Sequence, residues 1–219
     1  IVISVLSAWA AWSPLGLGAW CYDQMARSKS HGGNMEAAVE YWRRAVQKRP
    51  NDTRLRVWLG WAHERNGDDD AALAAYEEAV RRDPESTMAL TYQAHLHLSN
   101  DDYEKTASVL QLAQDQAPDH ADVRLLQGQL LMAQRQAEEA IPHLEKAVES
   151  GTDKPNAYCS LAQAYDQVGR NAEALATYRV GARRGEGRCK DHLAAIGEPL
   201  PTEEDTPAER RRARRDRAE

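Results

Sequence analysis

The chain lacks the marks of most enzyme and metal chemistry. It has three cysteines, Cys21, Cys159 and Cys189, and none of them forms a C-x-x-C pair. An odd, sparse set points to neither a disulfide framework nor a zinc site; a Cys159–Cys189 bridge is left open, without geometric support from its spacing. There is no G-x-S-x-G, no glycine-rich phosphate loop and no H-E-x-x-H. No nucleophile elbow, nucleotide cradle or zinc helix is therefore expected. An excess of positive charge is also missing. The formal net charge is -6, which argues against nucleic acid as the partner of the body of the chain. Phenylalanine is absent while tryptophan occurs 6 times, a bias with no evident physical cause.

The remaining polar clusters read as surface. His95 and His97 stand two apart, on different faces of a helix. His63 and His97 occupy equivalent packed positions 34 residues apart. Neither is the i, i+4 pair of a zinc helix. Asp68-Asp69-Asp70, Glu77-Glu78 and Glu138-Glu139 fall on turns or solvent faces, where they aid solubility and favour helix N-termini. The expectation is a protein with no catalytic residues, no metal, no cofactor and no small-molecule substrate.

What is present is a repeat. Alanine, leucine, glutamate, glutamine and arginine dominate, and all favour helix. Written in rows of 34, the chain repeats itself. Prolines fall at Pro50, Pro84 and Pro118. Small residues recur at Ala26, Gly60, Ala94, Gly128 and Ala162, at Ala38, Ala72, Thr106, Ala140 and Ala174, and at Ala45, Ala79, Ala113, Ala147 and Gly181. A large residue recurs at Trp42, Tyr76, Leu110, Leu144 and Tyr178. Helices approach closely only where a side chain is small, so the small series mark helix crossings and the large one fills the space left. Each proline ends a second helix, giving way to Thr152 and Glu186 in the last rows. Asn51-Asp52, Glu85-Ser86 and Asp119 offer polar starts for the next helix. Gly32-Gly33, Asn66-Gly67, Asn100-Asp101 and Gly169 mark the turn inside each pair, with Arg135-Gln136 in the fourth row. Pro155 suits a first helical position, and Pro142 should bend its helix slightly.

These residues resemble the tetratricopeptide-repeat family over about three quarters of the chain. The closest rows are 53–86, with Leu59-Gly60, Gly67, Ala72, Tyr76, Ala79 and Pro84, and 155–188, with Leu161-Ala162, Tyr165, Gly169, Ala174 and Tyr178. Gln93 and Gln127 depart from an expected large apolar residue, and Lys29, His63 and His97 from the usual tyrosine. The resemblance implies an all-α fold, a right-handed α-solenoid of about five helix–turn–helix repeats over residues 19–186. A capping helix is expected over 187–196, with His192, Leu193 and Ile196 facing inward. From Gly197 onward three prolines and many charges suggest a disordered tail, 197–219. Its run Arg210, Arg211, Arg212, Arg214, Arg215 and Arg217 is nearly balanced by Glu203, Glu204, Asp205, Glu209, Asp216 and Glu219, which favours a solvated tail over a nucleic-acid grip.

The other end is apolar. Ile1–Tyr22 carries no charged side chain. Ile1 is not an initiator methionine, so residues before it are expected. The segment 1–18 reads as the end of a membrane anchor, as a signal remnant with Ala8-Trp9-Ala10 as cleavage site, or as an apolar helix pair capping the array. The anchor is the preferred reading and implies a membrane-associated protein.

In such an array the first helices would line a concave groove. Its expected rows are Val57, Thr91, Leu125 and Cys159; Trp61, His95, Gln129 and Gln163; and Glu64, Leu98, Met132 and Asp166. The mixture of aromatic, aliphatic and amide groups suits a partner protein's peptide or helix, anchored by Trp61, Leu98, Leu125 and Met132. Family members that hold a chaperone's terminal carboxylate carry lysine and asparagine on the first two rows. These rows carry neither, so that ligand is not expected. The reading is a protein–protein interaction scaffold or assembly factor at a membrane. Its rivals are a permanent accessory subunit of a membrane complex and a soluble regulator touching nucleic acid through its arginine tail.

Overall fold

Caps and terminators cut the sequence into helices of similar length. The computed structural model describes residues 17–152 and 156–200. Among these the chain forms eleven helices and no strand. They are α1 (Leu17–His31), α2 (Met35–Lys48), α3 (Thr53–Arg65), α4 (Asp69–Arg82), α5 (Thr87–Ser99), α6 (Tyr103–Gln116), α7 (Ala121–Ala133), α8 (Ala137–Glu149), α9 (Ala157–Gln167), α10 (Asn171–Arg183) and α11 (Gly187–Ala195). Most of the apolar N-terminal stretch, Pro155 and the arginine run lie outside the described residues.

Two compact units divide the chain, ending and beginning at Pro118 and Asp119. In the first, α1–α2, α3–α4 and α5–α6 are helical hairpins, and each hairpin packs its second helix on the first helix of the next. The first helices α3 and α5 also touch. In the second, α7–α8 and α9–α10 repeat the plan, α7 touches α9, and α11 packs on both α9 and α10. The short helix α11 thus lies against the last hairpin.

The three small series are buried throughout. At Gly60 an added Cβ would stand 2.5 Å from Tyr76 Cε1, and at Gly128 it would stand 2.5 Å from Leu144 Cγ. These glycines exist because the large residue of the next helix occupies the place of a side chain. Trp42, Tyr76, Leu144 and Tyr178 are buried as the pattern requires.

The helix starts follow from short polar side chains. Asn34, Asp52, Asp68, Ser86 and Asp102 each accept the backbone N–H three residues on. The fourth repeat departs from expectation. His120, not Asp119, caps α7, through Nδ1 and the Asp122 N–H at 3.3 Å. Asp119 instead faces Arg124 at 3.4 Å.

Turns within hairpins share one device. Gly33, Gly67, Asp101, Arg135 and Gly169, one per repeat, all have positive φ, between 58° and 80°. Arg135 thus makes the turn that its sequence marks only weakly. Between repeats there are two devices. Pro50, Pro84 and Pro118 follow the ends of α2, α4 and α6. Where proline is missing, Gly151 and Gly185 take positive φ, and Thr152 N and Glu186 N bond back to Ala147 O and Gly181 O. This is a glycine-terminated helix end. The helix α8 runs through Pro142, which is exposed.

Two expectations about the C-terminal region change. Ile196 is 52% exposed and does not face inward, while Leu193 is buried. Cys159 and Cys189 are joined by a disulfide, with Cα atoms 5.4 Å apart, because the cap brings α11 alongside the start of α9.

Candidate partner-binding face

In the first unit, α1, α3 and α5 present one face built from side chains a turn apart. Its base is closed. Val57 and Thr91 are buried, and Thr91 Oγ1 donates to Met88 O at 3.0 Å. Val57 packs in a core cluster with Tyr76, Ala89 and Leu96, and neither residue of this expected groove row can meet a partner without repacking.

The next rows are accessible. Trp61 is half-buried, with its ring edge-on to Trp42 and Trp58 at 5.9 Å from each. It is thus both core and surface. Leu98 is half-buried, and His95 is exposed. His95 Nδ1 stands 3.5 Å from Glu64 Oε1, and Glu64 Oε2 accepts the Tyr76 hydroxyl at 2.8 Å. Burial, and then the Glu64 carboxylate, push the Tyr76 hydroxyl pKa far above its ordinary value, so it remains a donor at any physiological pH.

Three residues that the expected rows leave out belong to this face. Trp58 stacks on Trp42 at 6.2 Å and meets Tyr92 at 6.2 Å. The Arg27 guanidinium lies 4.9 Å from the Trp58 ring centroid and bonds Asp23 at 3.0 Å. Asp23 in turn accepts Trp42 Nε1 at 2.9 Å. A buried carboxylate thereby aims a cation at an aromatic ring. A signal for two of them exists: Trp58 and Tyr92 keep the 34-residue step, one position beyond the row assigned to the groove.

In the second unit the corresponding residues are more occupied. Leu125 and Cys159 are buried, the second held by its disulfide; neither lines a surface. Half-buried Gln129 donates Nε2 to Ser160 Oγ at 3.2 Å. Gln163 is half-buried, and Met132 packs against the core. Exposed Asp166 faces His192 Nε2 at 3.8 Å and, after burial, is the next cause that raises the Tyr178 hydroxyl pKa.

The packed histidines have a structural task. His63 Nδ1 faces Asp68 at 3.3 Å and His97 Nδ1 faces Asp102 at 4.0 Å. Each sits beside the carboxylate that caps the next helix. Burial lowers the pKa of both histidines despite those carboxylates. Among the described residues one group could converge on a metal, Cys159, Glu186 and Cys189, and its two sulfurs are bonded to each other.

A family model described as tetratricopeptide repeat matches residues 24–87 and 125–188. The chain belongs to the tetratricopeptide-repeat family. A second model, anaphase-promoting complex or cyclosome subunit 3, matches residues 65–147. No curated protein matches significantly. Among solved structures, a thermophilic TPR protein of Thermus thermophilus, TTC0263, is 21% identical, with 81% of this chain and 97% of that one covered and a TM-score of 0.71. The APC/C hetero-tetramer Cut9–Hcn1 is 15% identical, with 80% of this chain and 35% of that one covered and a TM-score of 0.72. MamA of Desulfovibrio magneticus is 20% identical, with 77% of this chain and 97% of that one covered and a TM-score of 0.58. At these identities the likeness is one of fold. A tetratricopeptide-repeat protein is a scaffold for protein–protein interaction, and the repeats here account for all but the last of the described helices.

Proposed function

We propose that this tetratricopeptide-repeat protein holds a peptide or helix of a partner protein on the face formed by α1, α3 and α5. One observation carries the reading: a half-buried cluster of Trp58, Trp61 and Tyr92 rings, with the Arg27 guanidinium over Trp58 and the Glu64–His95 pair on the same helices α3 and α5. Rigid aromatic side chains bury large area at small entropic cost, and polar groups around them fix register. The partner's apolar side chains seat against Trp61 and Leu98, while His95 and Glu64 bond its backbone or polar groups.

The second part of the proposal is location at a membrane. It rests on the uncharged stretch Ile1–Tyr22; no helix among the described residues is long and apolar enough to cross a membrane. Flotation of the intact chain with lipid vesicles tests it, and a chain that stays at the bottom of the gradient refutes it.

The binding face is tested by selecting peptides on the immobilised chain and then measuring their affinity for variants. Trp61→Ala and His95→Ala should each weaken capture at least tenfold. His95 is exposed, so its change should leave the melting midpoint in place. Unchanged affinity in both variants would remove this face from the function. A fixed accessory subunit is the second reading, favoured by the match to the anaphase-promoting complex subunit model. That reading predicts a chain that aggregates when made alone and is rescued by co-expression with its complex.

A further inference from the structure

The cap helix α11 has only nine residues, fewer than a helix needs to persist alone in water. Its attachments to the last repeat are few. Leu193 is buried, and the His192 ring stacks on Tyr178 at 3.9 Å. Just past its end, Glu198 meets Arg179 at 2.6 Å, an exposed pair of small effect. The Glu186 carboxylate, at its start, accepts the Tyr158 and Cys159 N–H groups at 3.2 and 3.0 Å. The one covalent tie is Cys159–Cys189. Each sulfur comes from the third residue of its helix, so the bond joins the first turns of α9 and α11. Against α11 lie Tyr178 and Gly181 of the last hairpin, the first under His192 and the second under Cys189.

We propose that the Cys159–Cys189 bond is a redox latch on this cap. A dithiol reductant opens it. One thiolate attacks a bridge sulfur, and the second displaces the resulting mixed disulfide. The dithiol leaves as its own disulfide, having supplied two electrons, and Cys159 and Cys189 take up two protons as thiols. With the tie gone, α11 frays and uncovers the end of the last repeat, surface that terminal caps normally cover. Cys159 and Cys189 are 1% and 0% exposed, so a reductant reaches the sulfur only when α11 opens locally. The latch therefore responds to sustained reducing conditions and not to brief ones. Cys21 remains a free thiol in either state.

The test uses the full chain purified without reductant. Alkylation after denaturation should label one cysteine, Cys21, and all three once dithiothreitol has been added. Hydrogen exchange read by mass spectrometry should then show amides of Gly187–Ile196 exchanging at least tenfold faster with dithiothreitol, while α7 and α8 keep their rates. The C159S/C189S double variant should show the fast rate without reductant and no further response. Three labelled cysteines before reduction would overturn the proposal. So would an α11 exchange rate indifferent to dithiothreitol. One equivalent of zinc in the purified protein would also overturn it, because a metal held by these sulfurs and a bond between them exclude each other. Should the double variant fail to fold, the comparison of natural chain with and without dithiothreitol decides alone.

Discussion

The hydroxyl of Tyr76 on α4 reaches the Glu64 carboxylate on α3 over 2.8 Å. A ring that is fully buried thus fixes an acid on the accessible face, and the other oxygen of that acid meets His95. Core packing and the proposed binding chemistry share one side chain. Tyr76→Phe keeps the ring and removes the bond. It should cost about 1.5 kcal/mol, the usual scale for a hydrogen bond to a charged group, in urea unfolding. It should also weaken peptide capture, since Glu64 loses its anchor. A variant with native stability and native affinity would show that the bond does neither job.

Gly128 sits against Leu144 with no room for a Cβ. Gly128→Ala should destabilise the second unit by about 1–3 kcal/mol through overpacking. Adding Leu144→Ala should make the glycine substitution much cheaper, because the obstructing atoms are gone; additive losses would mean that the two sites do not meet.

Arg135 turns the fourth hairpin at φ 63°, where a side chain is disfavoured and three of the other four repeats carry glycine. Arg135→Gly should stabilise the protein by about 1 kcal/mol. The residue is exposed, so little packing is lost. A lower midpoint of chemical unfolding would contradict the account of the turn.

Burial lowers the pKa of His63, His97 and His143 below the ordinary histidine value. Their folded forms favour the neutral ring, so the unfolded chain binds more protons as pH falls past the unfolded histidine pKa. Stability should be fully present above that value, about 6.5, and should decline as pH drops below it toward the lowered folded values. Thermal melts between pH 8 and pH 5 would show the slope. In a His63→Gln, His97→Gln double variant the slope should flatten; an unaltered slope would assign it elsewhere.

The repeat is legible in the sequence because helix crossings demand small residues at fixed intervals, and Gly60, Ala94 and Gly128 meet that demand directly. The caps at Asp52 and Ser86 are legible for a similarly local reason. The binding face is harder. A projection one residue out of phase puts Val57 and Thr91 on the surface, although both are buried, and overlooks Trp58 and Tyr92 beside them. That distinction depends on how adjacent repeats rotate, which no single row encodes. Arg27 and Asp23 escape the sequence because their meaning lies in a contact with Trp42 and Trp58 from other helices. The disulfide is unreadable for a similar reason: only the folded cap brings Cys189 to Cys159.

Glu186 gives the last repeat an unusual dependence. The start of α9 has no capping side chain of its own; its first amides are satisfied by a carboxylate 28 and 27 positions later in the chain. Shortening the protein after Gly185 would therefore not remove a self-sufficient module from the end. It would unseat the beginning of a helix well upstream, so the final two helices and the cap must be kept or lost together.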